Sequence, residues 1–127
     1  MPETLYEDEF VKLNEDVLVL KRYHVFPLLK HKYVLTKNIK VVWFEDQNCG
    51  KFPIRRAWGK ARDHELYWAL DYRRCLPGDK AGKSDVIIDA EDGLKKGFTV
   101  ADVQSFLASL RCICPMSLIV VDNLNLN

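Results

Sequence analysis

The sequence predicts an α+β domain, mostly β, in which a small antiparallel barrel or strongly bent sheet is closed by one C-terminal amphipathic helix, with an extra strand after the helix. Three observations carry this. Short runs rich in β-branched and aromatic residues, bounded by turn-forming residues, recur from Val17 to Ile88. The apolar period then switches to that of a helix beyond Thr99. Finally, 127 residues, 48% of them hydrophobic, suit one core in one domain.

The first strand is VLVLKRYHVF, Val17 to Phe26, interrupted by Pro27. KYVLT (32–36) and NIKVVWFED (38–46) continue a meander, with Lys37-Asn38 as a tight turn because Asn tolerates the left-handed conformation. EDQNCG (45–50) is a loop, and KFPIRRAW (51–58) a kinked strand whose Pro53 suits an edge. Residues 62–75 alternate as a strand would, sending Trp68 and Tyr72 to one face and Arg73 to the other. A helix is the rival there, because Glu65, Leu66, Ala69 and Leu70 also fit a 3.6-residue period. After the loop 76–84, Val86-Ile87-Ile88 forms another strand, followed by the loop AEDGLKKG (90–97).

Val100, Val103, Phe106, Leu107, Leu110 and Ile113 share one helical face. Thr99 with Asp102 reads as the helix cap, Phe98 as a staple onto Val103, and Pro115 as the stop. Residues 116–123 read as a further strand, pairing within the domain or between two copies of the chain, and 124–127 as a polar tail that frays. The domain itself is placed at 15–123, preceded by an acidic segment, 1–14.

Charge is unevenly spread. Residues 1–16 sum to −5, residues 17–62 to +9 and the remainder to −3, giving a total of +1. The sequence opens without the features of an export signal, and its longest apolar runs are too short to span a bilayer. With four cysteines and no such signal, a reducing, cytoplasmic setting with free thiols is expected.

No catalytic, cofactor or metal motif emerges. Gly82-Lys83-Ser84 ends like a phosphate loop, but Pro77 stands where the first glycine belongs, and the segment leads into a strand where the motif opens a helix. Cys112 and Cys114 are close in sequence without metal spacing, and Asp89, Glu91 and Asp92 read as a solvated turn. Cations and aromatics interleave from Arg55 and Arg56 through Trp58, Trp68 and Arg74, the combination used by grooves for single-stranded nucleic acid. Core aromatics with solvated cations explain the same pattern and are preferred.

Tyr33-Val34-Leu35-Thr36 followed by Asn38-Ile39-Lys40-Val41-Val42, then Asp85-Val86-Ile87-Ile88, then Phe98 to Leu110, resemble the pleckstrin-homology-like domains, most closely their bacterial type. The resemblance covers about residues 15–114, and it departs at the long loop 76–84 and at the SLIVV run after the helix. It implies a non-enzymatic binding or adaptor domain for a protein partner, docked at a sheet edge or beside the helix, with no cofactor. It also implies an alternative, a weak membrane-surface module that takes anionic headgroups on a basic first hairpin. The residues concerned are Lys21, Arg22, Lys30, His31 and Lys32, although Lys30-x-Lys32 lacks the arginine that usually completes the phosphate pattern. Arg55 and Arg56 join them as candidate anion or partner contacts, nucleic acid is the weaker partner class, and the 116–123 strand is a route to a homo-oligomer.

Overall fold

The computed structural model describes residues 3–24, 28–48, 54–61, 65–114 and 117–126. The chain folds as α+β, mostly β. In place of a closed barrel, the described residues form two sheets.

The first sheet is antiparallel, in the order β1 (Thr4–Glu7), β2 (Val11–Asn14), β3 (Val17–His24), β4 (Lys30–Leu35). The acidic segment expected outside the domain therefore supplies two of its four strands, because Phe10, Val11 and Leu13 bring enough apolar surface to be buried. The second sheet runs β10, β5, β8, β9, β7, β6, comprising β5 (Val41–Asp46), β6 (Gly59–Lys60), β7 (Leu66–Trp68), β8 (Ser84–Asp89), β9 (Lys95–Val100) and β10 (Ile119–Val121). It is mixed: β10 lies parallel to β5, and β7 parallel to β9.

The expected meander is corrected at Lys37-Asn38. A single 3-10 turn, Thr36–Asn38, replaces the tight hairpin and carries the chain from one sheet to the other. Thr36 is buried there, its hydroxyl donating to the Glu15 carbonyl at 2.6 Å and its N–H to that of Asp16 at 3.0 Å. Of the kinked strand expected at 51–58, residues 51–53 lie outside the described residues and 54–58 are irregular, so pairing begins only at Gly59. Of segment 62–75, residues 62–64 lie outside the described residues; the rest is a strand at Leu66–Trp68 and then turns, which leaves Tyr72 exposed while Trp68 is buried.

Alternation sorts the second sheet's side chains onto two faces. Val42, Val86, Ile88, Phe98 and Val100 join Leu13, Leu18, Leu20 and Val34 of the first sheet in the main core. Trp43, Ile87 and Trp68 look the other way, into a smaller cluster with Leu66, Ala61 and Leu124. Leu124 is buried there, so the expected fraying tail is anchored at its first residue.

Helix α1 spans Val103–Ile113 and lays Phe106, Leu107 and Leu110 on the main core. Its cap is Asp102, whose carboxylate accepts from the Ser105 N–H at 3.1 Å; Thr99 and Val100, expected in the helix, belong to β9. Phe98 is likewise a strand residue, its ring edge-on to Phe106 at 5.8 Å. The helix ends at Cys114, whose N–H donates to the Leu110 carbonyl; the expected stop, Pro115, lies outside the described residues.

Candidate functional site

The five basic residues expected on the first hairpin fall on the third and fourth strands, β3 and β4, and divide into two groups. Lys21 donates to Glu7 at 3.0 Å and to the Asp8 carbonyl at 2.8 Å, and Arg22 lies 3.8 Å from Glu9. The acidic first strands thus neutralise the cations of β3, and the Lys21 ammonium holds the Glu7 carboxyl below its ordinary range. Arg22 also sits at φ 56°, inside the register shift between Leu20 and His24, and its carbonyl accepts from the Leu70 N–H at 3.0 Å. Its backbone is a joint between the two sheets.

Lys30, His31 and Lys32 are placed differently. They lie on β4, at the outer edge of the first sheet, and make no ion pair among the described residues. Beside them four apolar side chains stand in solvent: Leu28 at 65%, Leu29 at 62%, Tyr33 at 66% and Leu35 at 46% exposure. The opposite edge of this sheet is covered, since Ser109 of α1 donates to the Leu5 carbonyl at 3.2 Å and Tyr6 stacks edge-on to Phe106 at 5.5 Å. Where β4 ends, a groove of about 460 Å3 opens between Glu15, Asp16, Leu35, Thr36, Lys37 and Ile113.

The remaining sequence candidates separate as well. Arg56 is exposed and donates to the Lys60 carbonyl at 3.0 Å. The Arg55 side chain is buried, its Nε on Asp85 and its Nη2 on Glu45. Asp85 also accepts from Arg74 Nε at 3.0 Å, and the Arg74 guanidinium reaches the carbonyls of Arg56 and Ala69 and the hydroxyl of Thr99. Gln47 Nε2 closes the network on Asp71, Asp85 and Thr99 at 3.1, 2.9 and 3.0 Å.

Opposing forces set the protonation of this cluster. Burial works to lower the Arg55 pKa, but Asp85 and Glu45 outweigh it and raise it. For Arg74 burial wins and lowers the pKa against the pull of Asp85 and Asp71. Burial would raise Asp71, yet hydrogen bonds from Thr99 and Gln47 and the charge of Arg74 hold its carboxyl below the ordinary range.

On the solvent side of the network lies a pocket of about 420 Å3 lined by Gln47, Arg55, Arg74, Cys75, Leu76, Pro77 and Lys80. Sequence reasoning missed Gln47, whose partners Asp71, Asp85 and Thr99 are 24, 38 and 52 positions away, and Lys80, which sits in a segment that reads as loop; Arg74 was named only among the interleaved cations. The Arg74 guanidinium also stacks 4.4 Å from the Trp68 ring centre, so two of the interleaved cations and aromatics form the protein's interior and present no stacking surface.

Compared with known proteins, the chain matches no family model, no curated protein and no solved structure. Among the described residues, no helix is long and apolar enough to cross a membrane.

Proposed function

We propose that the protein is a non-enzymatic binding module that receives an extended segment of a protein partner as an added strand along β4. The observation that supports it is the outer edge of β4, unpaired among the described residues, with Leu28, Leu29, Tyr33 and Leu35 exposed beside it. An unpaired edge offers a row of backbone donors and acceptors to an incoming strand, and alternate side chains supply specificity. Lys30 and Lys32, which make no ion pair among the described residues, favour a segment that alternates apolar and acidic residues, and the groove beside Ile113 receives its end. This reading accords with the platform role implied by the pleckstrin-homology-like resemblance.

Selection of random peptides on the immobilised protein tests it. The expected product is a consensus of alternating apolar and acidic residues whose binding is lost in a Tyr33→Glu, Leu35→Glu double variant. A basic consensus, no consensus, or binding indifferent to the double variant overturns the reading.

A membrane-surface role has its own supporting observation: Leu28 and Leu29 project beside Lys30, His31 and Lys32, pairing insertable apolar groups with cations. Each cation adds about 1 kcal/mol near an anionic surface. Co-sedimentation with anionic liposomes at physiological salt, abolished by Lys30→Glu with Lys32→Glu, supports that role, and no sedimentation in any condition removes it.

A further inference from the structure

Two side-chain atoms of pocket-lining residues are buried and have no hydrogen-bond partner among the described residues: Arg55 Nη1, a donor, and Gln47 Oε1, an acceptor. The Arg55 side chain is 7% exposed and Gln47 4%. Orphans of this kind are rare in folded proteins and call for a reason. The Gln47 amide cannot simply turn over to relieve its oxygen, because its nitrogen faces two carboxylates and the Thr99 hydroxyl.

The lining is also asymmetric in charge. It presents Arg55, Arg74 and Lys80 and no carboxylate among the described residues, while Glu45 and Asp85, which neutralise the arginines, stand behind them on β5 and β8. Lys80 is held by the carbonyls of Arg73 and Leu76, without a carboxylate partner among the described residues. Counting Glu45, Asp71 and Asp85 against the three cations, the whole cluster is neutral, which favours a monoanion over a multiply charged guest. Leu76 and Pro77 add an apolar wall.

We propose that this pocket binds a carboxylate that carries a neutral N–H donor on the adjacent carbon and an apolar side chain, the chemistry of a peptide C-terminus or an N-acylated apolar amino acid. The carboxylate accepts from Arg55 Nη1, the N–H donates to Gln47 Oε1, and the side chain packs on Leu76 and Pro77. A free amino acid fits less well, because its ammonium meets three cations. The site is separate from the β4 edge and does not depend on it.

Calorimetric titration of the full chain with N-acetylleucine tests this, with N-acetylleucinamide, isocaproate and a tetrapeptide ending in leucine as further ligands. Saturable binding of N-acetylleucine is expected, about tenfold weaker for the amide, which lacks the charge-assisted bond, and several-fold weaker for isocaproate, which lacks the N–H. Tetrapeptide binding tighter than that of N-acetylleucine identifies a chain end as the ligand, and the reverse order a small acid. Leu76→Trp, at a position exposed enough to spare the fold, fills the pocket and lowers affinity at least about tenfold at unchanged thermal stability. No saturable binding, equal binding of acid and amide, or undiminished binding to Leu76→Trp overturns the proposal.

Discussion

Asp71 shows how one residue ties pH to stability. Its Oδ2 accepts from Thr99 at 2.7 Å and from Gln47 at 3.1 Å, and its Oδ1 from the Arg73 N–H at 3.0 Å. Either orientation of an asparagine there turns an NH2 toward an existing donor, so Asp71→Asn costs about 1–3 kcal/mol at pH 7. Because the folded pKa is depressed, the ionised group stabilises the protein above the unfolded value of about 3.9, and that contribution is lost as pH falls through the folded pKa. Urea melts at pH 7, 5 and 3 should therefore show wild-type stability falling toward pH 3, and a flatter profile for the variant. Gly97 is governed by proximity. A Cβ there would stand 2.6 Å from Cδ2 and 2.7 Å from Cζ3 of Trp68, its neighbour across β7 and β9. Trp68 cannot retreat, since its Nε1 donates to the Ile54 carbonyl at 2.9 Å and Arg74 lies over its ring. Gly97→Ala should cost about 1–3 kcal/mol by overpacking, read as a lowered urea midpoint at unchanged slope.

At the scale of elements, α1 draws its stability from its buried stripe, so Phe106→Ala should cost about 3–5 kcal/mol in the same urea melts. A loss below about 1 kcal/mol would mean that the helix is not seated on the core as described. The stripe is also why this helix was legible in the sequence while its beginning was not. Phe98 and Val100 are apolar and extend the helical pattern backwards, yet they alternate on β9, whose opening Lys95-Lys96-Gly97 reads as loop. Propensity cannot choose between Thr99 and Asp102 as a cap; pairing of Thr99 with Asp85 across the sheet does. β1 and β2 were hidden by their shortness and by the acidic residues that flank them, and the crossing at Thr36–Asn38 by a turn sequence equally suited to a hairpin. Of the candidate site, Lys30, His31 and Lys32 entered only through the basic hairpin that the family resemblance implies. The pairing of Arg55 with Asp85, 30 positions away, exists only once the sheet has formed.

For the whole molecule, the acidic first strands hold the first sheet to the helix. Asp8 takes the Ala101 N–H at 2.8 Å, the Tyr6 hydroxyl takes the Asp102 N–H at 3.1 Å, and Tyr6 itself donates to Asp8 at 2.5 Å. The turn between β1 and β2 is thereby fastened to the junction of β9 and α1. Phe10, Val11 and Leu13 are buried in the main core, and at about 1.5–3 kcal/mol for each such side chain their removal costs on the order of 5–9 kcal/mol. That is comparable to the full stability of an ordinary domain, about 5–15 kcal/mol, so the loss decides whether the fold exists. A fragment beginning at residue 15 should consequently fail to melt cooperatively and should show broadened, poorly dispersed amide resonances, whereas removal of residues 1–3 should leave both unchanged. Charge sharpens the contrast, because the longer truncation also strips Lys21 and Arg22 of Glu7 and Glu9 and leaves two uncompensated cations on β3. If the fragment from residue 15 instead melts cooperatively with a midpoint near that of the full chain, the first two strands are an accessory layer, and the core closes without Phe10, Val11 and Leu13.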